Sequence, residues 1–179
     1  MPVRYMPGGF LGLADLDRAI EGTQAIIGGI RDEQWTAPTP CPGLDVRALV
    51  NHPPPPRDAD HLGGDPLAAF RRAAAELREA LARPGVLAGN YTLPVGTVPG
   101  VALARIRIVE HLGHGWDLAR ATGQLAGFPG DVTERALAAA KQQLANRPDG
   151  EDSPFASEVP VPAQAPAIDR LAGFPGRSV

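Results

Sequence analysis

The chain has 179 residues, a formal net charge of −3 at pH 7, 20 prolines, 21 glycines and a single cysteine. This length predicts one domain, residues 1–179; the charge offers no basic surface for nucleic acid, and one cysteine excludes both an intrachain disulfide and a cysteine-rich zinc finger. No stretch approaches the roughly 20 apolar residues of a membrane span and the N-terminal sequence lacks a secretory signal, so we expect a cytoplasmic protein that does not bind membranes.

Two helices are predicted in the first third of the chain, over residues 11–31 and 44–51. Cys41 lies in the turn between them, in the sequence PTPCPG. We favour a structural, half-buried role for this cysteine over that of a redox or metal-ligating thiol. The second helix should stop at or just before His52, because four prolines follow it at positions 53–56 and a residue before proline is pushed away from the α region.

The rest of the chain alternates helical segments with stretches rich in glycine and proline. From residue 147 onward proline recurs every few residues, which predicts an irregular tail, residues 147–179, packed on the domain. The predicted elements are a helix over 66–82, a short strand or ordered loop over 87–99, a helix over 101–122, a helix over 132–145 and one docked turn over 167–171.

The most informative motif is EHLGHGWD, within the helix predicted over 101–122. Glu110 and His114 are i,i+4 neighbours there, so a carboxylate oxygen and an imidazole nitrogen can hold one divalent cation at about 2.0–2.2 Å. An isolated pair of this kind is often only a surface hydrogen bond. Here, however, the pair lies among apolar residues, where an unpartnered carboxylate would be costly and a cation would remove that cost.

A third metal ligand has to come from another element. We favour His52 over His61, because His52 ends a regular helix whereas His61 lies in a segment with the composition of an exposed loop. His111 is offset by about 100° from Glu110 around the helix and is expected to support the site from outside, or to replace a weak His52. Asp117 either accepts a hydrogen bond from the His114 ring or caps the helix surface.

Three motifs together resemble a known family: TPCPGLDVRALVNH, R-x-x-E-H-x-x-H-G-W-D-L-A-R-A-T-G-Q and a tail of the form PF-x-x-x-VPVP-x-x-A-P-x-x-D-R-L. They are similar to actinobacterial metal-binding proteins related to mycothiol-dependent maleylpyruvate isomerase, which belong to the DinB-type superfamily. The resemblance covers residues 13–170. Two departures are the proline run after His52 and Leu44, where relatives usually carry tryptophan.

This resemblance implies an all-α fold, a DinB-like four-helix bundle, here with a shortened second helix and an irregular proline-rich C-terminal tail. It also implies a divalent metal, commonly zinc, held by His52, Glu110 and His114. In several relatives mycothiol, a low-molecular-weight thiol, is the cosubstrate. The partners we expect are therefore a small-molecule thiol and an electrophilic substrate.

The function that we predict is that of a divalent-metal-binding protein resembling mycothiol-dependent enzymes, a thiol-dependent transferase or isomerase that uses a metal-activated thiolate. No Ser/His/Asp pattern supplies a protein nucleophile, so the thiol has to arrive as a cosubstrate. Two alternatives stay open. The chain is a non-catalytic DinB-like remnant or binding module, or it is a metal-dependent hydrolase in which bound water replaces the thiol.

Overall fold

The computed structural model describes residues 11–52, 59–93, 96–143 and 156–179. The predicted all-α class is confirmed in its main feature, since the described residues are predominantly helical. The proline run at 53–56 and the start of the predicted tail lie outside the described residues. The elements are α1 Leu13–Gly28, a 3-10 helix Asp32–Gln34, α2 Val46–Val50, α3 Pro66–Ala82, β1 Asn90–Leu93, β2 Gly96–Pro99, α4 Gly100–Thr122, α5 Gly130–Gln143 and α6 Ala167–Gly173.

The first two helices are shorter than predicted, for local reasons. Helix α1 ends at Gly28, with Gly29 as its C-cap, instead of continuing to residue 31. Helix α2 has five residues. It begins after Asp45, the N-cap, which accepts a hydrogen bond from the backbone N–H of Ala48 at 2.7 Å. The prediction that this helix stops before His52 is confirmed.

The segment predicted as a strand or ordered loop is an antiparallel hairpin. Strands β1 and β2 pair from Asn90 with Pro99 to Leu93 with Gly96. Helix α4 begins immediately after β2, at Gly100. An added Cβ at this glycine would overlap the backbone of Val86 and Leu87, so the close approach requires glycine.

Helix α4 is the centre of the packing and contacts α1, α2, α5, α6 and β2. Its core side chains Ile108, Leu112 and Trp116 are buried. The indole N–H of Trp116 donates to Asp169 at 2.8 Å, which ties α6 to α4. The turn predicted over 167–171 is therefore the start of a seven-residue helix whose residues Ile168 and Leu171 join the core.

A buried ion pair joins α1 to α5. Both guanidinium nitrogens Nη1 and Nη2 of Arg135 donate to Asp15, at 2.8 and 2.7 Å. Asp15 is only 8% exposed. The hydrogen bonds from Arg135 lower the pKa of Asp15 by more than burial raises it, so the carboxylate stays ionised and the pair holds the two helices together. No helix among the described residues is long and apolar enough to cross a membrane.

Phe128, in the connection between α4 and α5, packs against glycines of two helices. An added Cβ at Gly22 of α1 or at Gly115 of α4 would overlap the Phe128 ring. These glycines reduce helix propensity, but they let the ring fill the space between α1 and α4. Gly113 of α4, by contrast, faces open space.

We expect Gly115→Ala to destabilise the protein and Gly113→Ala to stabilise it slightly. Alanine at 113 should add about 0.5–1 kcal/mol through helix propensity. Alanine at 115 gains the same propensity but has to displace a packed ring, which typically costs about 1–3 kcal/mol. The free energies of unfolding of the two variants, measured in urea, should differ by about that cost; equal values would show that Phe128 moves aside freely.

Candidate metal centre

Two of the three predicted ligands meet in the structure. His114 lies on α4, and His52 follows the last turn of α2, which packs on α4. Their ring centroids are 5.4 Å apart and the rings are nearly perpendicular, at 85°. Two imidazoles bound to one tetrahedral zinc at about 2.0–2.1 Å would place their centroids roughly 5 Å apart. The observed centroid separation is therefore close to that of two imidazoles on one cation.

Glu110 lies near these histidines but already has a partner. Its carboxylate forms an ion pair with Arg107 at 2.7 Å, and its side chain is 41% exposed. The argument that an unpartnered carboxylate on an apolar face calls for a cation is therefore wrong, because an arginine one turn earlier and the solvent satisfy it. The assignment of Glu110 as a metal ligand stays a prediction.

Asp117 and Cys41 lie next to His114. One ligand atom from each of the three residues lies within 4.8 Å of those of the other two. Asp117 Oδ2 is 3.4 Å from His114 Nδ1, and Asp117 is fully buried, so the interpretation of Asp117 as a surface cap is wrong. Burial lowers the pKa of His114, but its interactions with Asp117 and Cys41 outweigh burial and raise that pKa to about 9.

Cys41 is held in place by the turn that precedes α2. The Thr39 hydroxyl donates to the carbonyl of Leu44 at 2.7 Å and accepts from the backbone N–H of Cys41 at 3.2 Å. Gly43 takes the left-handed conformation, with φ of 77°, that lets the chain reverse here. A structural role explains the turn itself. It does not explain why the cysteine sulfur lies beside a half-buried histidine and a buried carboxylate.

Sequence analysis missed one residue of the centre, Arg177. Its Nε and Nη2 donate to the two carboxylate oxygens of Asp117, at 2.5 and 2.7 Å, and its side chain is 15% exposed. Burial lowers the pKa of Arg177, but the ion pair with Asp117 raises it more. No sequence signal pointed to this contact, because Arg177 follows α6 and meets α4 only through the tertiary fold.

A cavity of about 530 Å³ opens beside the histidines, between α1, α2, α3 and α4. Most of its wall is apolar, and its polar lining includes His52, His61, His111, His114, Arg107 and Glu110. His111 stacks edge-on against Phe70, with centroids 5.7 Å apart. Burial, followed by the charges of Arg107 and His114, lowers the pKa of His111 to about 4, so this imidazole is neutral at physiological pH.

Known sequences agree with the resemblance drawn from the motifs. The profile of the mycothiol maleylpyruvate isomerase N-terminal domain matches residues 16–53, which include Cys41 and His52. Two uncharacterized proteins, from two strains of Mycobacterium tuberculosis, are each 34% identical over 177 residues, which is 90% of this chain and 95% of the relative. The chain belongs to this actinobacterial family. No solved structure is significantly similar to it.

The family profile covers only part of the candidate centre. The profile match ends at residue 53, so it covers the turn of Cys41 and helix α2 but not α4. The two mycobacterial relatives extend over nearly the whole chain. The candidate centre is therefore made by four separate parts of a family member: the turn before α2, the residue His52 after α2, helix α4 and the segment after α6.

Removing Arg177 should strongly destabilise the protein, because it leaves Asp117 buried without an opposite charge. We expect Arg177→Ala to lower the free energy of unfolding by about 3–5 kcal/mol. Arg177→Lys should lose less, because lysine keeps the charge but cannot donate two parallel hydrogen bonds. Arg31→Ala is a suitable control: its ion pair with Glu33 is exposed, at 64% and 69%, and should contribute less than about 1 kcal/mol. Equal losses in the Arg177→Ala and Arg31→Ala variants would contradict the assigned role.

Proposed function

We propose that this protein binds one divalent cation, zinc being the family's common metal, and uses a small-molecule thiol, mycothiol, to attack an electrophilic substrate as a thiol-dependent transferase or isomerase. The observation that carries the proposal is the contact between His52 and His114, whose centroid separation of 5.4 Å suits two ligands of one ion. Glu110 is the third ligand expected from the sequence. It would have to give up its ion pair with Arg107 to bind.

The adjoining cavity supports a small-molecule reaction. Its volume of about 530 Å³ is within the usual range of ligand sites, roughly 300–1,000 Å³, and its apolar wall would exclude water from an electrophile. When bound, the cation would favour the thiolate form of the cosubstrate. Among the chain's own residues, Asp117 fixes the orientation of His114 through Nδ1, and the neutral His111 offers the cavity a hydrogen-bonding group without a charge.

We further propose that these residues belong to a DinB-type four-helix bundle. In that arrangement α1, α2, α3 and α4 correspond to the four bundle helices, with α2 shortened to five residues. The contacts of α1 with α3 and α4, and of α2 with α4, support this correspondence. Helices α5 and α6 then pack on the outside of the bundle, against α4.

One observation favours the alternative of a non-catalytic binding module. Of the ligands expected from the family, Glu110 is already paired with Arg107, and His52 follows a helix of only five residues. A protein that binds neither metal nor thiol would match this alternative. Measurement of bound metal therefore separates the two proposals.

We expect the purified protein to contain one divalent metal per chain, and His114→Ala to bind it at least about tenfold more weakly. His52→Ala should lose less affinity, because His52 follows the end of a short helix and its side chain is less firmly fixed. His61→Ala is the control, since His61 lines the same cavity but is exposed. Elemental analysis and competitive chelator titration measure both quantities, and an unchanged stoichiometry in His114→Ala would reject the proposal.

Thiol binding should depend on the metal. A thiol that binds a cation as thiolate releases a proton, so its affinity should rise with pH until the pH reaches the thiol's own pKa. Calorimetric titration of mycothiol into metal-loaded and metal-stripped protein should give measurable binding only in the loaded form. The same affinity in both forms would remove the thiol mechanism while leaving metal binding intact.

A further inference from the structure

The groups closest together around His114 are not those that the sequence singled out. Cys41, His114 and Asp117 come from the turn before α2 and from α4, and their ligand atoms lie within 4.8 Å of one another. Around a tetrahedral zinc, a sulfur at about 2.3 Å and a nitrogen or oxygen at about 2.0–2.2 Å lie roughly 3.5 Å apart. Side-chain movements of about 1 Å would bring the three groups around one ion.

Glu110 is a weaker candidate for the same ion. It is not part of this group, and among the described residues no other set of three such side chains is as close together. Its side chain is 41% exposed and pairs with Arg107, so it would bind a cation from a partly solvated position outside the buried group. Cys41 and Asp117, by contrast, already lie beside His114. Asp117 is fully buried, so a cation bound to it would interact strongly with its carboxylate.

The charges of the group also suit a divalent ion. The guanidinium of Arg177 neutralises Asp117. Oδ2 of that carboxylate has two partners, Arg177 and His114, whereas Oδ1 has only Arg177 and keeps a lone pair for a cation. A divalent cation bound together with the Cys41 thiolate would leave the cluster with one net positive charge. One thiolate cosubstrate would neutralise that charge, which connects the cluster to the chemistry proposed above.

We infer that Cys41 is a thiolate ligand of the cation, together with His114 and Asp117, and that it takes the place assigned to Glu110. This inference rests on the proposed function, because it concerns the same ion. Cys41 is then not a structural residue of the turn. A site with sulfur, nitrogen and oxygen ligands favours zinc over magnesium or calcium, which prefer oxygen ligands alone. With His52 retained from the proposed function, four protein ligands fill a tetrahedral site, so an incoming thiol would bind as a fifth ligand or displace one of the four.

Substitution of the metal by Co²⁺ tests this inference without any assay of activity. Metal-stripped protein is titrated with Co²⁺ in the absence of added thiols, and visible and near-ultraviolet absorption is recorded. We expect the visible ligand-field bands of bound cobalt together with a sulfur-to-cobalt charge-transfer band. Cys41→Ser should lose the charge-transfer band and bind Co²⁺ at least about tenfold more weakly, while Glu110→Gln should keep the band.

The possible results separate this inference from the proposed function. Ligand-field bands without a charge-transfer band in the unmodified protein would overturn the role of Cys41 and leave the metal site itself standing. The absence of any cobalt bands would overturn both. A Cys41→Ser variant that fails to fold, judged by circular dichroism, is replaced by alkylation of the native protein: bound Zn²⁺ should slow the modification of Cys41 at least about tenfold, and an unchanged rate would reject the inference.

Discussion

The buried carboxylate of Asp117 is the constraint on which the rest of the centre depends. An ionised carboxylate without exposed surface is unfavourable unless opposite charge and hydrogen bonds surround it. The fold supplies both by bringing Arg177 from the segment after α6 and His114 from one turn earlier on α4. The C-terminal segment is thereby fixed to the central helix, and His114 is held in one orientation. A carboxylate that orients a histidine in this way is a common partner of metal-binding imidazoles.

Helix α4 serves the core and the candidate centre with different faces. Ile108, Leu112 and Trp116 face the core, and Trp116 also bonds to α6. His111 and His114 face the cavity. Gly115 lies between these groups and lets Phe128 approach the helix closely. Because the same turns carry core residues and candidate ligands, the packing of the core fixes the backbone that carries the histidines, which is a condition for a preorganised site.

The sequence predicted those features that depend on local patterns. Apolar periodicity located α4, the proline run explained the end of α2, and the spacing of the motif pointed to His114. Features that depend on contacts between distant segments were missed or misjudged. Arg177 was not considered, and the position of Cys41 beside His114 and Asp117 has no local signature. The ion pair of Glu110 with Arg107 was also overlooked, although both residues lie on one helix. The first two errors are inherent in reading one chain locally; the third is not, since i,i+3 pairs can be read from a sequence.

The backbone around the short helix α2 is held by contacts on both sides. The helix is anchored through the buried side chains of Val46 and Leu49, and the backbone N–H of His52 donates to the carbonyl of Leu49 at 3.2 Å. Asn51 joins the two sides of the proline run: its amide donates to the carbonyl of Ala59 at 2.7 Å, and its side-chain oxygen accepts from the backbone N–H of His61 at 2.9 Å. A hydrogen-bonded closure of this kind restricts the ends of a loop regardless of its interior. The backbone at His52 is therefore held on both sides, and a helix that is five residues long can still bring a histidine to α4. The smaller metal contribution expected of His52 concerns its side chain, which these backbone contacts do not fix.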